Sequence, residues 1–239
     1  MILFDGPLQS RLRTNLSNHE RRIQPLDGRR AAAVAIVIVD SALDANDDPF
    51  DVDANTDIVV PGDSAGFDDR MTGVSGGAAF LLCRRAARLS SHSRQWALPG
   101  GRIDAGETAV EAARREVAEE VGLELHADAL LGVLDDFPTR SGYVITPVVF
   151  WAESSAGMTD NPSEVALTYR VSLKELQRPD SPRYVVIPES ERPVVQIPLG
   201  QALIHAPTGA VLLQFRWVAL DGRANERVDH LEQPVFAWK

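Results

Sequence analysis

Three carboxylates fall within five residues, at Glu116, Glu119 and Glu120, in the run R-R-E-V-A-E-E-V-G. On a helix, at about 100° per residue, Glu119 lies roughly 60° to one side of Glu116 and Glu120 about 40° to the other, so all three share a face. Like charges at that spacing repel, and Arg115 alone cannot neutralise them. An all-oxygen donor set, completed by water and substrate phosphate, is what Mg²⁺ or Mn²⁺ prefers. Upstream, Pro99-Gly100-Gly101 is a loop whose backbone can approach a ligand closely and offer the Gly101 carbonyl. A solvated acidic helix face is the plain alternative; the glycine loop, the Arg115 counterion and the capped helix ends together favour a metal site.

The element that must carry these carboxylates is legible. Residues 108 to 121 contain neither Gly nor Pro, and Val110, Ala113, Val117 and Val121 recur at helical intervals. Thr108 with Glu111 has the spacing of a capping box, and Gly122 stands where a helix end turns left-handed. Before the loop, Ala78 to Arg85 reads as a strand and Trp96 to Leu98 as a short one. Arg84, Arg85, Arg88, His92, Arg94 and Arg102 make a local basic cluster suited to diphosphate oxygens. Strand alternation predicts that only one of Arg84 and Arg85 faces the site. Trp96 and Tyr143 read either as stacking partners for a base or as core.

The same residues resemble the Nudix box, G-x5-E-x7-R-E-U-x-E-E-x-G-U with U aliphatic, from Gly101 through Glu107, Arg115, Glu116, Glu119 and Glu120 to Gly122-Leu123. The resemblance implies an α/β/α sandwich around a mixed sheet and hydrolysis of a nucleoside diphosphate linked to another group. By position it implies Glu116, Glu119 and Glu120 as metal ligands with the Gly101 carbonyl as a further one, and Glu107 with Arg115 as the pair tying loop to helix. Glu116, Glu119 and Arg115 thus stand in the catalytic set. The motif leaves the general base open: in some members it is the position of Glu116, in others a residue outside the box. Glu164 is favoured here, with Asp135 and Asp136 second and Glu153 also considered.

A narrower resemblance, to the coenzyme A pyrophosphatase branch of that family, rests on Leu81-Leu82, Arg85, Leu89, His92, Gln95 and Pro99-Gly100-Gly101. It departs from that branch at Cys83, Ala86, Ser90, Arg94 and Leu98. It is also carried by Gly132-Val133-Leu134, the stretch 142–149, Glu164-Val165 and Arg11-Leu12. It implies Arg85, His92 and Gln95 as substrate contacts, with Arg102 completing the basic set, and coenzyme A or an acyl derivative as substrate. Two alternatives stay open. One is a Nudix hydrolase of ADP-ribose, a dinucleotide or an oxidised nucleotide; the other is a non-catalytic ligand-sensing module.

Around this centre, 239 residues with 44% hydrophobic content suit a single domain spanning 1–239. A net charge of −10 argues against nucleic acid as a partner. The single cysteine, Cys83, excludes an intramolecular disulfide and fits a reducing, cytoplasmic setting. No signal peptide or membrane-length apolar run is evident. The partner expected is a small nucleoside-diphosphate-type molecule, with no membrane; a homodimer is left open.

Leu8, Leu12 and Leu16 predict an N-terminal helix within a lead-in over 7–30, and Ala31 to Val39 a buried strand. Residues 41–77 read as an acidic, loop-like insertion, in which Asp51, Asp53, Asn55 and Asp57 alternate without the glycine a calcium loop needs. Further strands are predicted at Leu130 to Asp135, Tyr143 to Trp151 with Pro147 at an edge or bulge, Val165 to Val171, Arg183 to Ile187 and Leu203 to His205. Pro207 to Leu220 predicts a helix, with a hairpin at Thr208-Gly209 as the alternative.

Overall fold

The Asp5 carboxylate accepts the Leu8 N–H at 2.9 Å and opens helix α1 (Gly6–Ser17), whose Leu8, Leu12 and Leu16 are buried in one stripe. This comes from a computed structural model that describes residues 1–41, 60–86 and 95–238. In chain order there follow β1 (Arg30–Ser41), β2 (Gly77–Arg85), β3 (Trp96–Ala97), β4 (Gly100–Arg102) and helix α2 (Ala109–Val121). Then come β5 (Leu130–Val133), β6 (Phe137–Pro138), β7 (Tyr143–Trp151) and β8 (Val165–Ser172). The chain ends with β9 (Arg183–Ile187), β10 (Ser190–Leu199), β11 (Ala202–His205) and helix α3 (Thr208–Phe215), which runs into a wider turn at Arg216–Leu220.

β1 is the spine of the main sheet. It pairs antiparallel with β2 and β4 and parallel with β7, and β8 pairs with β2. A strand covered on both faces carries a continuous apolar run, which is why 31–39 lacks alternation. One face, with Ala33, Ala35 and Val37 of β1 and Leu81 of β2, packs on Ala113, Val117 and Val121 of α2. The opposite face, with Ile36, Phe80 and Leu82, packs on α1, α3 and the small sheet of β9, β10 and β11. Helices on both faces of a mixed sheet make the α/β/α sandwich expected.

Several expectations are corrected. Pro147 lies inside the sheet, where the neighbour of β7 changes from β6 to β5, and such a break tolerates a residue without an N–H. The described part of the insertion, 60–76, has no strand or helix yet buries Met71 and Val74, so two apolar side chains anchor it. Strand β10 was not anticipated, because Pro193 and Pro198 mask its alternation. The segment 208–220 is helical as first expected, and the hairpin alternative falls. The sequence Asp51, Asp53, Asn55 and Asp57 lies outside the described residues.

Helix α2 is closed at both ends as its sequence predicts. Thr108 Oγ1 accepts the Glu111 N–H, the Glu111 carboxylate accepts the Thr108 N–H at 2.8 Å, and Gly122 takes φ 66°. Thr108→Ala removes the reciprocal cap, and the expected loss is about 1 kcal/mol of unfolding free energy, read by urea denaturation.

Candidate active site

The Arg115 guanidinium organises the acidic face of α2. Its Nε and Nη2 donate to Glu107 at 2.9 and 3.1 Å, Nη1 reaches Glu116 at 2.8 Å and Glu119 at 3.1 Å, and Nη2 also bonds the Arg102 carbonyl at 3.0 Å. The hydrogen bonds from Arg115 hold the Glu107 carboxyl below its ordinary range. Glu116 moves the other way: burial raises its pKa more than Arg115 lowers it.

Glu120 is the most desolvated of the three, 4% exposed, with a pKa pushed up to about 8, first by burial and then, against the relief of the Gly100 N–H, by the Glu116 charge. That N–H reaches Glu120 Oε2 at 3.1 Å. Gly101 lies so close to Glu116 that a Cβ built on it would collide with the carboxylate. The loop after β7 supplies the next acid. Its Thr159 and Asn161 N–H groups bond the Val121 and Glu120 carbonyls at the end of α2, and Asn161 Nδ2 reaches Glu164 at 3.5 Å.

Glu116, Glu120, Glu164, Gly101, Arg85, Gln95 and Arg102 all line one cavity of about 1010 Å³. Glu119 does not; its half-exposed side chain pairs with Arg115 instead. His92 lies outside the described residues, as do Arg88 and Arg94. Asp135 and Asp136 also stay off the cavity. Asp135 is buried against His19 at 2.9 Å and Gln214 at 2.7 Å, while Asp136 is bound by Arg21 and Thr146, so both serve to dock the N-terminal segment.

At the end of β2, Arg84 and Arg85 point to opposite faces as alternation expects, yet both line the cavity. A register shift against β8 falls between them, and the cavity wraps the strand end, reaching both faces of the sheet. Sequence reasoning missed most of the other wall. It is built by Asp69, Leu203, His205, Thr208 and Phe236, and no local motif marks them.

Among the described residues no three acidic, histidine or cysteine side chains converge into a ready-made metal cage. The site nonetheless fits a divalent cation. It offers oxygen donors only, holds a buried carboxylate faced by a lone backbone N–H, and leaves the Gly101 position free of a side chain that would fill the space.

The family model described as a NUDIX domain matches residues 71–190. The chain belongs to the Nudix family. It is 38% identical over 96 residues to a Photorhabdus laumondii protein named "Uncharacterized Nudix hydrolase NudL", covering 40% of this chain and 51% of that one. A Yersinia enterocolitica protein of the same name is 35% identical over 99 residues, covering 41% and 51%. The chain thus spans about half the length of the curated relatives it matches. The fold is also similar to the crystal structure of a MutT/nudix family protein from Enterococcus faecalis. The TM-score is 0.51 at 12% identity, over 84% of this chain and 66% of that one. The Nudix segment contains the carboxylate end of the cavity, whereas Leu203, His205, Thr208 and Phe236 lie beyond residue 190. No helix among the described residues of this Nudix protein is long and apolar enough to cross a membrane.

His205 gives the far wall a pH signature. Burial pushes its pKa down from 6.5 to about 4, so the folded state holds the neutral ring. The unfolded chain takes up a proton first as pH falls, so this contribution is intact above pH 6.5 and is lost progressively toward pH 4. At about 1.36 kcal/mol per pKa unit, the loss is expected to approach roughly 3 kcal/mol. Comparing urea unfolding of His205→Gln with the parent between pH 7 and about 4 isolates it: the variant should show a flatter pH dependence.

Proposed function

We propose that this Nudix protein is a divalent-cation-dependent hydrolase of the phosphoanhydride in a nucleoside diphosphate linked to a second group. The observation that carries the reading is the convergence of half-buried Glu116 and buried Glu120 with Glu164 and Arg85 along a single large cavity. Glu116 and Glu120, with the Gly101 carbonyl, would hold Mg²⁺ or Mn²⁺, and Glu119 is available to join them because its pair with Arg115 is largely exposed and weak. When bound, such a cation neutralises diphosphate oxygens and makes water a better nucleophile near neutral pH.

The chain's own groups do the rest. Arg115 fixes the Glu116 carboxylate against Gly101. Glu164, steadied by Asn161 on a loop anchored to α2, takes the proton of the attacking water as the new P–O bond forms and the bridging P–O bond breaks. Arg85 and Arg102 sit where the diphosphate's remaining charge needs donors, and His92 belongs to the same proposed contact set. Coenzyme A or an acyl-coenzyme A is the substrate proposed first. Two residues of the partial signature, Arg85 and Gln95, line the cavity and support that choice. A homodimer and a cytoplasmic location remain part of this proposal.

The test is turnover of coenzyme A, acetyl-coenzyme A, ADP-ribose, a diadenosine polyphosphate, NADH and 8-oxo-dGTP with Mg²⁺ and then Mn²⁺. Hydrolysis is expected, highest on the coenzyme A compounds. Glu120→Gln and Glu116→Gln should each lower kcat by about 10²-fold or more, the scale of losing a positioned charged group. Turnover unchanged in both would overturn the role given to these carboxylates, no turnover of any compound would leave ligand sensing, and a preference for another compound would transfer the assignment to it.

A further inference from the structure

At the opposite end of the cavity stands a group the hydrolytic reading does not use. Arg84 is 6% exposed, lies over the Trp96 ring at 4.5 Å and pairs with Asp69 through Nη2 at 2.7 Å. Nη1 and Nη2 are both buried with no hydrogen bond among the described residues, Nη2 meeting Asp69 as an ion pair only, although Arg84 lines the cavity. A buried donor left unpaired costs about 1–3 kcal/mol, so a ligand that satisfies it gains that much over one that does not.

Asp69 is built into place rather than left on a loop. It is a non-glycine residue at φ 66°, its N–H bonds the Gln201 carbonyl at 3.1 Å, and Trp96 Nε1 donates to its Oδ1 at 2.7 Å. A residue held in the left-handed region by contacts from two other elements is one whose position the fold enforces. The surroundings are apolar and aromatic: Phe67, Leu203, Val211 and Phe236.

We infer that this end is a recognition pocket for an uncharged group presenting an N–H beside a carbonyl or ring-nitrogen acceptor, read by Asp69 and Arg84 against the Trp96 face. A second phosphate does not suit it, because Asp69 already compensates the guanidinium and would itself face the anion. Diphosphate charge belongs with Arg85 on the other face of the sheet. An amide-type edge meets one donor and one acceptor at once, and a site built that way rejects analogues lacking the edge. This inference rests on the hydrolase reading only in taking the two ends as halves of one substrate site.

The experiment is calorimetric titration of the full chain with adenosine, pantetheine and inorganic phosphate as separate probes. Saturable binding of adenosine or pantetheine is expected, and the one that binds identifies a base or an amide chain as the source of the edge. Arg84→Met should weaken that binding at least tenfold. Phosphate should not compete with the parent protein but should bind Asp69→Asn, where the guanidinium loses its counterion; this second variant serves if Arg84→Met does not fold. Binding of neither uncharged probe, unchanged affinity in Arg84→Met, or phosphate competition in the parent would each overturn the inference. Glu120→Gln keeps the two readings apart. It should bind the probe like the parent while hydrolysing about 10²-fold more slowly or less, and a parent that binds the probe but hydrolyses no compound sinks the hydrolase reading alone.

Discussion

Everything at the carboxylate end of the cavity depends on one guanidinium. Arg115 bonds Glu107 twice, Glu116, Glu119 and the Arg102 carbonyl, so a single side chain joins the strand-to-helix loop to the helix that follows it. Its hydrogen bonds to Glu107 and Glu116 raise its own pKa further above the physiological range, so the cation is permanent. Three clustered carboxylates on two turns of helix would otherwise push the loop away from the helix. With Arg115 in place, repulsion is spent on the outer side while Glu116 and Glu120 stay aimed inward.

The two glycines ahead of the helix divide the inner side between them. Gly100 lies flat against β1, where a Cβ would strike the Ala33 carbonyl and Val34, and this close approach brings its N–H to Glu120. Gly101 leaves room for the Glu116 carboxylate. Each glycine therefore serves one carboxylate, one by what it donates and one by what it lacks. The pairing of β4 with β1 through Ala32, Ala33 and Val34 holds both at once.

What the sequence disclosed is what local chemistry decides. The capping box at Thr108, the left-handed Gly122 and the stripe through Val117 and Val121 all lie within a few turns of one another, and each was legible. The box carboxylates could be named, but the direction of Glu119 could not, because its rotamer is set by competition for Arg115. Strand alternation holds at Arg84 and Arg85, but that both line one cavity could not be read from it, because the cavity reaches both faces at the end of β2. The far wall was only partly legible: Trp96 stood as a stacking candidate, but Asp69 and His205 come to the same cavity only through the tertiary fold. Asp135 and Asp136 show the converse error, since a carboxylate at a strand end is as useful for docking a terminus as for catalysis.

Charge bookkeeping within the cavity explains how an acidic protein can take an anionic substrate. At physiological ionic strength charges beyond about 8 Å are screened, so the overall charge of −10 matters less than the lining. Among the described residues that lining holds three arginines, Arg84, Arg85 and Arg102, against five acids, Asp68, Asp69, Glu116, Glu120 and Glu164. Arg84 is occupied by Asp69, Asp68 by Arg70 and Glu116 by Arg115, which leaves Arg85 and Arg102 facing Glu120 and Glu164. In the proposed hydrolase a diphosphate entering alone would meet repulsion, and a cation entering alone would meet carboxylates with open coordination. Each therefore raises the affinity of the other by the same factor, as linkage requires. An uncharged recognition end then makes physical sense. In that proposal it would select the second group of the substrate without adding charge to a site whose balance would already depend on the metal.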